Sequence, residues 1–241
     1  MKFPAVLLIL LGSLSFVMGQ TTFTEQAARL QNINAYLLDL RPVSDPARPD
    51  RSQIELGLDI TPQPDIDTTI GRKEEPLDPP SAVPRLRLRY LSQSGFFAGG
   101  TYVPGIEFQD YEADYWAAEL GYRFRFKQLH AAVRVSAGDG DVTGPITEND
   151  ASDFFQFSSR GADISAGIPF RSFHFYGFAG AADIETELDI EADGVNLDNE
   201  DDAIYGGLGV SWRGKHWGVT IEQNATDSYL KHIVLNLSYR L

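Results

Sequence analysis

The sequence has no cysteine, and its basic residues are outnumbered by its acidic ones. Without cysteine no disulfide can hold the fold together, so the class of small secreted proteins stapled by disulfides is excluded. With 20 lysines and arginines against 34 aspartates and glutamates, the formal net charge is −14. A chain this acidic repels phosphate backbones, which excludes nucleic acid as an expected partner.

Long apolar runs are also missing. Only residues 5–17 are almost wholly apolar, and they follow the basic Lys2. A membrane anchor is the alternative interpretation, but about 13 apolar residues are too few for a helix to span ~30 Å of hydrocarbon. The basic start, the apolar stretch and the small Gly19 have the layout of a secretory signal peptide. The sequence therefore predicts a signal peptide over residues 1–19 and no transmembrane helix after it.

After residue 50 the chain alternates apolar and polar residues with the period of a β-strand. In residues 115–126, for example, Trp116 and Leu120 fall on one face while Glu119 and Arg123 fall on the other. The pattern predicts an all-β fold, an antiparallel up-and-down barrel over 51–241 with about ten strands, eight or twelve being possible. One segment loses its phase, which predicts a bulge near residues 158–161. The predicted strands are 52–61, 84–91, 96–104, 115–126, 129–137, 154–168, 172–183, 203–213, 216–224 and 229–241.

Alternation alone leaves open which face is inside. A soluble, lipocalin-like binding barrel turns its apolar face inward, whereas a transmembrane barrel turns it outward to lipid. The connections favour the second arrangement, because short links alternate with long ones and aromatic residues such as Phe126, Phe170 and Trp217 flank the short links. Short links are predicted at 92–95, 127–128, 169–171 and 214–215, and longer ones at 62–83, 105–114, 138–153 and 184–202, with a short fifth at 225–228.

The last strand carries apolar residues at every second position: Ile233, Leu235, Leu237, Tyr239 and Leu241. It resembles the terminal strand of bacterial outer-membrane β-barrel proteins. The resemblance covers the architecture of residues 51–241 and points to no particular family. It implies location in the cell outer membrane, contact with membrane lipid and lipopolysaccharide, and handling by the export and barrel-assembly machinery.

Between the signal peptide and the barrel lies a helical segment. Thr22 and Glu25 have the spacing of a capping box, and Pro42 and Pro46 begin a proline-rich linker that ends the helix. The sequence predicts a helix over 21–41 within a periplasmic segment, 20–50, that lies at the rim or plugs the barrel. Its predicted apolar stripe is formed by Leu30, Ile33, Leu37 and Leu40.

The polar face of the strands is rich in charge. Buried single charges are costly, so opposite charges on neighbouring strands are expected to pair inside the barrel. Two interpretations stay open: a filled, salt-bridged interior, or an arginine-lined narrow channel for small anionic solutes. The predicted lumen charges are Glu55, Asp59, Arg85, Arg87, Arg89, Glu119, Arg123, Arg125 and Arg134.

The predicted long loops are acidic, and residues 183–202 contain no lysine or arginine. Solvated loops explain this composition. A sharper hypothesis is a Ca²⁺ site, because Asp189, Glu191, Asp193 and Glu200 fall at ligand positions of an EF-hand-like loop. No other cofactor is expected.

The four histidines stand in no catalytic motif, so no enzyme is expected. A surface enzyme remains an alternative, and it would need a carboxylate–histidine pair at the long-loop end of the barrel. The sequence predicts an outer-membrane barrel with a structural, surface-interaction or minor transport role.

Overall fold

The computed structural model describes residues 23–39, 45–62, 82–108, 110–146, 152–190, 194–226 and 231–241. The predicted signal peptide, 1–19, lies outside these residues. No helix in the described part of the chain is long and apolar enough to cross a membrane.

Ten antiparallel strands close into a barrel, each strand pairing with its neighbours in sequence and β1 pairing with β10. The prediction of an up-and-down barrel with ten strands is confirmed. Because β1 pairs with β10, the ten-strand part of the sheet has no free edge. The strands are β1 (Gln53–Pro62), β2 (Ala82–Leu91), β3 (Phe96–Phe108), β4 (Tyr111–Phe126), β5 (Leu129–Gly144), β6 (Asp153–Phe170), β7 (Phe173–Ile190), β8 (Val195–Arg213), β9 (Trp217–Thr226) and β10 (Lys231–Arg240).

The outer face of the barrel is apolar. Leu56, Leu120 and Leu235 are 47%, 47% and 38% exposed, although their polar neighbours along each strand face inward. The soluble lipocalin-like alternative is therefore wrong, because it requires these side chains inside. Aromatic residues border the short turns on the same outer face, as predicted, and include Phe124, Phe126, Phe170, Phe173, Trp212 and Trp217.

The strands differ in length in a way that the sequence pattern did not predict. β1, β2, β9 and β10 have 10 residues, whereas β4 to β8 have 16 to 19. The predicted long loop 184–202 is wrong, since β7 continues to Ile190 and β8 begins at Val195. The predicted loop 105–114 is likewise wrong, because only residues 109–110 separate β3 from β4. Of the predicted loop 62–83, residues 63–81 lie outside the described residues.

β6 explains why the phase of the pattern changes along the chain. Its pairing with β5 and β7 is continuous, so the predicted bulge near residues 158–161 is wrong. Near the short turns, Ile164 faces outward and Asp163 faces the lumen. Towards the other end, Phe155 and Phe157 face inward and Gln156 faces outward. The strand stays regular while its surroundings change, from lipid outside and charge inside to water outside and an apolar interior.

The long strands form a curved sheet beyond the ten-strand barrel. We name this sheet the acidic extension; it comprises residues 111–114, 139–144, 153–160, 183–190 and 195–202. Its outward side chains are dominated by aspartate and glutamate at every second position. They are Glu112, Asp114, Asp139, Asp141, Asp183, Glu185, Glu187, Asp189, Asp198, Glu200 and Asp202.

The helix α1 (Phe23–Asp39) lies inside the barrel, against β6, β7 and β8. The predicted helix is confirmed, and of the two positions that the sequence left open, the rim or the interior of the barrel, it takes the interior. Gln31 Nε2 donates to the carbonyl of Leu197 near the start of β8, at 2.6 Å. Further along the chain, Ser211 Oγ near the end of β8 donates to Asp45 Oδ2, at 2.5 Å. α1 therefore contacts β8 at the long-strand end of the lumen, and Asp45 contacts β8 at the short-turn end.

Candidate functional site

The middle of the lumen is occupied by a buried network of charges centred on Glu119. Arg87 donates to both carboxylate oxygens of Glu119, at 2.9 and 2.8 Å. Arg134 Nη1 donates to the same carboxylate at 3.0 Å, and Arg89 Nη1 lies 3.8 Å from it. The side chain of Glu119 is 3% exposed, so one buried carboxylate faces three guanidinium groups. Both Arg87 hydrogen bonds come from Nη2, and charge-assisted hydrogen bonds of this kind are stronger than neutral ones, which helps to offset the cost of burying the carboxylate.

Further carboxylates balance these arginines. Asp163 Oδ2 accepts from Arg134 Nε at 2.8 Å and from the hydroxyl of Tyr205 at 3.0 Å. Glu55 lies 3.0 Å from Arg89, and Asp59 lies 3.7 Å from Arg87. These contacts link inward side chains of β1, β2, β4, β5, β6 and β8. We name the lumen network as Glu55, Asp59, Arg87, Arg89, Glu119, Arg134 and Asp163.

Three arginines that were predicted to face the lumen do not belong to this network. Arg85 is fully buried; its Nη1 donates to the carbonyl of Leu38 at 2.8 Å, and its Nη2 donates to a neighbouring threonine hydroxyl. Arg123 is buried, donates to the carbonyl of Ala47 at 3.1 Å and stacks over a phenylalanine ring. Arg125 is outside the lumen: its side chain is 56% exposed, beside Asp50 at the short-turn rim. It follows that the backbone carbonyls of Leu38 and Ala47, both before β1, engage two arginines that a channel would leave open to solutes.

The lumen network packs closely against Gly99, where there is no space for a side chain. A Cβ there would lie 2.7 Å from Arg89 Cγ, 2.9 Å from the Leu88 carbonyl and 3.0 Å from Glu119 Oε1. Because the backbone carbonyl cannot move aside easily, a methyl group would displace β3 or both charged side chains.

We expect Gly99→Ala to destabilise the barrel by about 1–3 kcal/mol, the usual cost of overpacking. The measurement is the temperature at which the folded gel band converts to the unfolded band. Gly177→Ala is the matched control, since its Cβ would come no closer than 3.4 Å to any atom. Equal transition temperatures for the two variants would contradict the predicted packing.

At the short-turn end, Asp45 attaches the linker to the inner face of β7 and β8. Its carboxylate lies 2.7 Å from Arg213 Nη2 and 2.8 Å from His174 Nδ1, and it accepts from Ser211. The ring of His174 stacks on that of His130, with centroids 5.0 Å apart. Burial alone would raise the pKa of Asp45, but Arg213 and then His174 hold that pKa well below its usual range. The carboxylate therefore stays charged, and its contribution to stability is lost only as the pH falls below the ordinary aspartate range.

At the long-strand end, the lumen is apolar and α1 fills it. Leu30 and Ala35 of the helix are 4% and 0% exposed. They belong to one cluster with inward residues of the surrounding strands, including Phe155, Phe157, Ile184, Leu188, Ile190 and Ala203. Asn32 fixes the orientation of the helix against β8. Its side chain donates to Asp201 Oδ2 at 2.8 Å and accepts from Asn199 at 2.6 Å.

Several site residues were missed from the sequence. Asp163 lay in the strand whose phase appeared broken, and Asp45 lay in the linker rather than the barrel. Glu222 is fully buried and accepts from the hydroxyl of Tyr176 at 2.5 Å. Asp163 and Glu222 could have been found from the alternation of their strands, because both stand at positions whose side chains face the lumen.

The calcium hypothesis required one continuous loop, and the structure places strands there instead. Asp189 lies opposite Asn196, whereas Glu200 lies opposite Glu185. Four residues along a strand separate those two levels by roughly 13 Å, too far for one ion to bind both carboxylates. Glu191 and Asp193 lie outside the described residues. Within the described ranges, no group of three or more histidine, aspartate or glutamate side chains is arranged to hold a metal ion.

No protein-family model and no curated protein matches the sequence. Among solved structures, the chain is similar to the toluene transporter TodX of P. putida, at 13% identity and TM-score 0.39, covering 85% of this chain and 70% of that one. It is similar to Ail, the attachment invasion locus protein of Yersinia pestis, at 12% identity and TM-score 0.35, covering 79% and 97%. The translocator domain of the autotransporter NalP from Neisseria meningitidis gives 10% identity and TM-score 0.38, covering 90% and 95%. All three are outer-membrane β-barrels.

Proposed function

We propose that this chain is an outer-membrane barrel that does not conduct solutes and that acts through the surface it presents beyond the membrane, in a structural or interaction role. The observation that carries the proposal is the packing of side chains into the lumen. The charged network fills its middle, α1 fills its long-strand end, and Asp45 secures the linker at its short-turn end.

Location in the membrane is supported by the exposed apolar belt. In water, a contiguous apolar surface of this extent drives aggregation, whereas lipid solvates it. In this proposal the short turns face the periplasm and the acidic extension stands outside the cell, among lipopolysaccharide headgroups. Export by the signal peptide and insertion by the barrel-assembly machinery belong to the same proposal.

The channel alternative loses support because the arginines that would select anions are engaged. Arg87, Arg89 and Arg134 pair with buried carboxylates, and Arg85 and Arg123 donate to the inner segment. We also propose a role without catalysis. The carboxylate–histidine pair formed by Asp45 and His174 lies at the short-turn end, opposite to where a surface enzyme would need one, and it holds the linker in place.

Planar-bilayer recording of the purified mature protein tests this proposal. We expect no steady current steps at moderate voltage, because no continuous water path crosses a lumen filled in this way. A known open porin at the same protein-to-lipid ratio serves as the positive control for insertion. Reproducible current steps from the unmodified protein would overturn the proposal.

A further inference from the structure

Above the ten-strand barrel, the sheet of the acidic extension has an edge on β8. β9 ends at Thr226, which pairs with Tyr205, so residues 195–204 of β8 pair with no described strand on that side. On its other side β8 pairs with β7 continuously from Ile190 to Phe173. The described part of the sheet therefore ends along about ten residues of β8, and a sheet edge presents backbone donors and acceptors to which a further strand can pair.

On its other side the acidic extension is bordered by the end of β3, which is built differently. There the register shifts between Val103 and Ile106, and Pro104 lies within the irregular stretch. A bulge and a proline are the usual devices that prevent another strand from pairing. Residues 195–204 contain no proline, and their register with β7 is unbroken. The β8 edge therefore keeps the geometry that accepts an added strand.

Charge determines which strand would fit. Beside the edge, the outward face carries like-charged pairs on neighbouring strands: Asp183 opposite Asp202, Glu185 opposite Glu200, and Glu187 opposite Asp198. Like charges directly opposite one another destabilise a sheet. A second copy of this chain would add another acidic row and increase the repulsion. A strand with positive side chains on the same face would relieve it.

From this geometry we propose that the β8 edge, residues 195–204, binds an extended cationic polypeptide segment by adding it as a strand to the acidic extension. Backbone hydrogen bonds give the segment its register, and lysine or arginine at every second position contacts Asp198, Glu200 and Asp202. The inference rests on the proposed surface-interaction role and names the chemistry of the partner.

The test measures binding of a fluorescent ten-residue peptide, alternating lysine with threonine or valine, to the full mature protein in detergent. A peptide of the same sequence with every backbone amide N-methylated keeps the charge and removes the donors. We expect the methylated peptide to bind at least roughly tenfold more weakly, because strand addition depends on main-chain hydrogen bonds. Equal binding of the two peptides would overturn the proposal, since it would show attraction by charge alone.

Two matched variants locate the site. Asp198→Asn/Glu200→Gln/Asp202→Asn removes three charges at the β8 edge, and Asp114→Asn/Asp139→Asn/Asp141→Asn removes three charges from β4 and β5 of the same surface. We expect the first to weaken peptide binding roughly tenfold and the second less than about threefold at physiological salt, where separated charges are screened. Equal losses would overturn the placement at the edge.

Failure of this inference is separable from failure of the proposed function. If the bilayer recordings stay silent and the peptide does not bind, the closed barrel stands and the edge is merely protected by its charges. If the unmodified protein conducts, the proposed function fails whatever the peptide does. Both triple variants should retain the heat-dependent gel shift, because all the substituted side chains face outward in the extension.

Discussion

Replacing Glu119 with glutamine is expected to destabilise the barrel by about 3–5 kcal/mol, the typical cost of removing one partner from a buried ion-pair cluster. The substitution keeps the shape of the side chain but leaves Arg87, Arg89 and Arg134 with one buried carboxylate fewer. The measurement is urea unfolding in lipid vesicles, followed by tryptophan fluorescence.

Glu112→Gln is the matched control, because it removes the same charge from the same strand at an exposed position of the acidic extension. Arg87→Gln in the Glu119→Gln background should recover part of the loss, since it removes one of the stranded cations. If Glu119→Gln unfolds at the same urea concentration as Glu112→Gln, the buried network does not support the barrel as described.

Dislodging α1 is expected to have the largest effect on permeability. Leu30→Glu places a charge in the apolar cluster at the long-strand end, which costs several kcal/mol unless the helix leaves the lumen. We expect the variant to show intermittent current steps in planar bilayers where the unmodified protein shows none. Arg29→Gln, at the neighbouring exposed position of the helix, should remain silent.

A deletion gives an independent test of the same prediction. Removing residues 23–39 takes away the plug but leaves the ten strands and the Asp45 contacts in the chain. We expect more frequent steps than for Leu30→Glu, together with a retained heat-dependent gel shift that reports a folded barrel. A folded deletion variant that stays silent would mean that the charged network alone closes the lumen.

Much of the barrel follows from period-two alternation. Ten strands and the short turns could be predicted because each membrane-facing stretch places apolar residues on one face, as in residues 129–135 and 233–241. The outward direction of Leu120 and Leu235 does not follow from alternation, because a soluble barrel has the same pattern inverted. Of the two features that predicted it, the aromatic residues do border the short turns, whereas two of the predicted long links are largely strand.

The acidic extension could not be predicted in the same way, because its surroundings change along each strand. Residues 183–190 alternate strictly, but the outward positions are acidic and the inward ones apolar, the reverse of the stretch before them. Read as composition, that stretch resembles a solvated loop. Read as alternation, it is a strand whose apolar inner face must be buried, and α1 packs against that face.

The position of α1 and the role of Asp45 depend on contacts between distant parts of the chain. Asp45 reaches Ser211 and Arg213 across more than 160 residues of sequence, and no local pattern encodes that distance. The helix itself was predictable from its capping box and proline stop, whereas its place inside the barrel was one of two options that the sequence left open.

The most direct test of a membrane barrel with these faces is gel migration with and without boiling, applied to the mature protein from a detergent-extracted membrane fraction. A closed barrel solvated by lipid resists SDS until heated, because every strand in its membrane-spanning part is paired on both sides. We predict a folded band that migrates differently from the boiled band and occurs only in that fraction. Release of the protein into the soluble periplasm, with a single band under both conditions, would contradict the assignment of the apolar face to lipid.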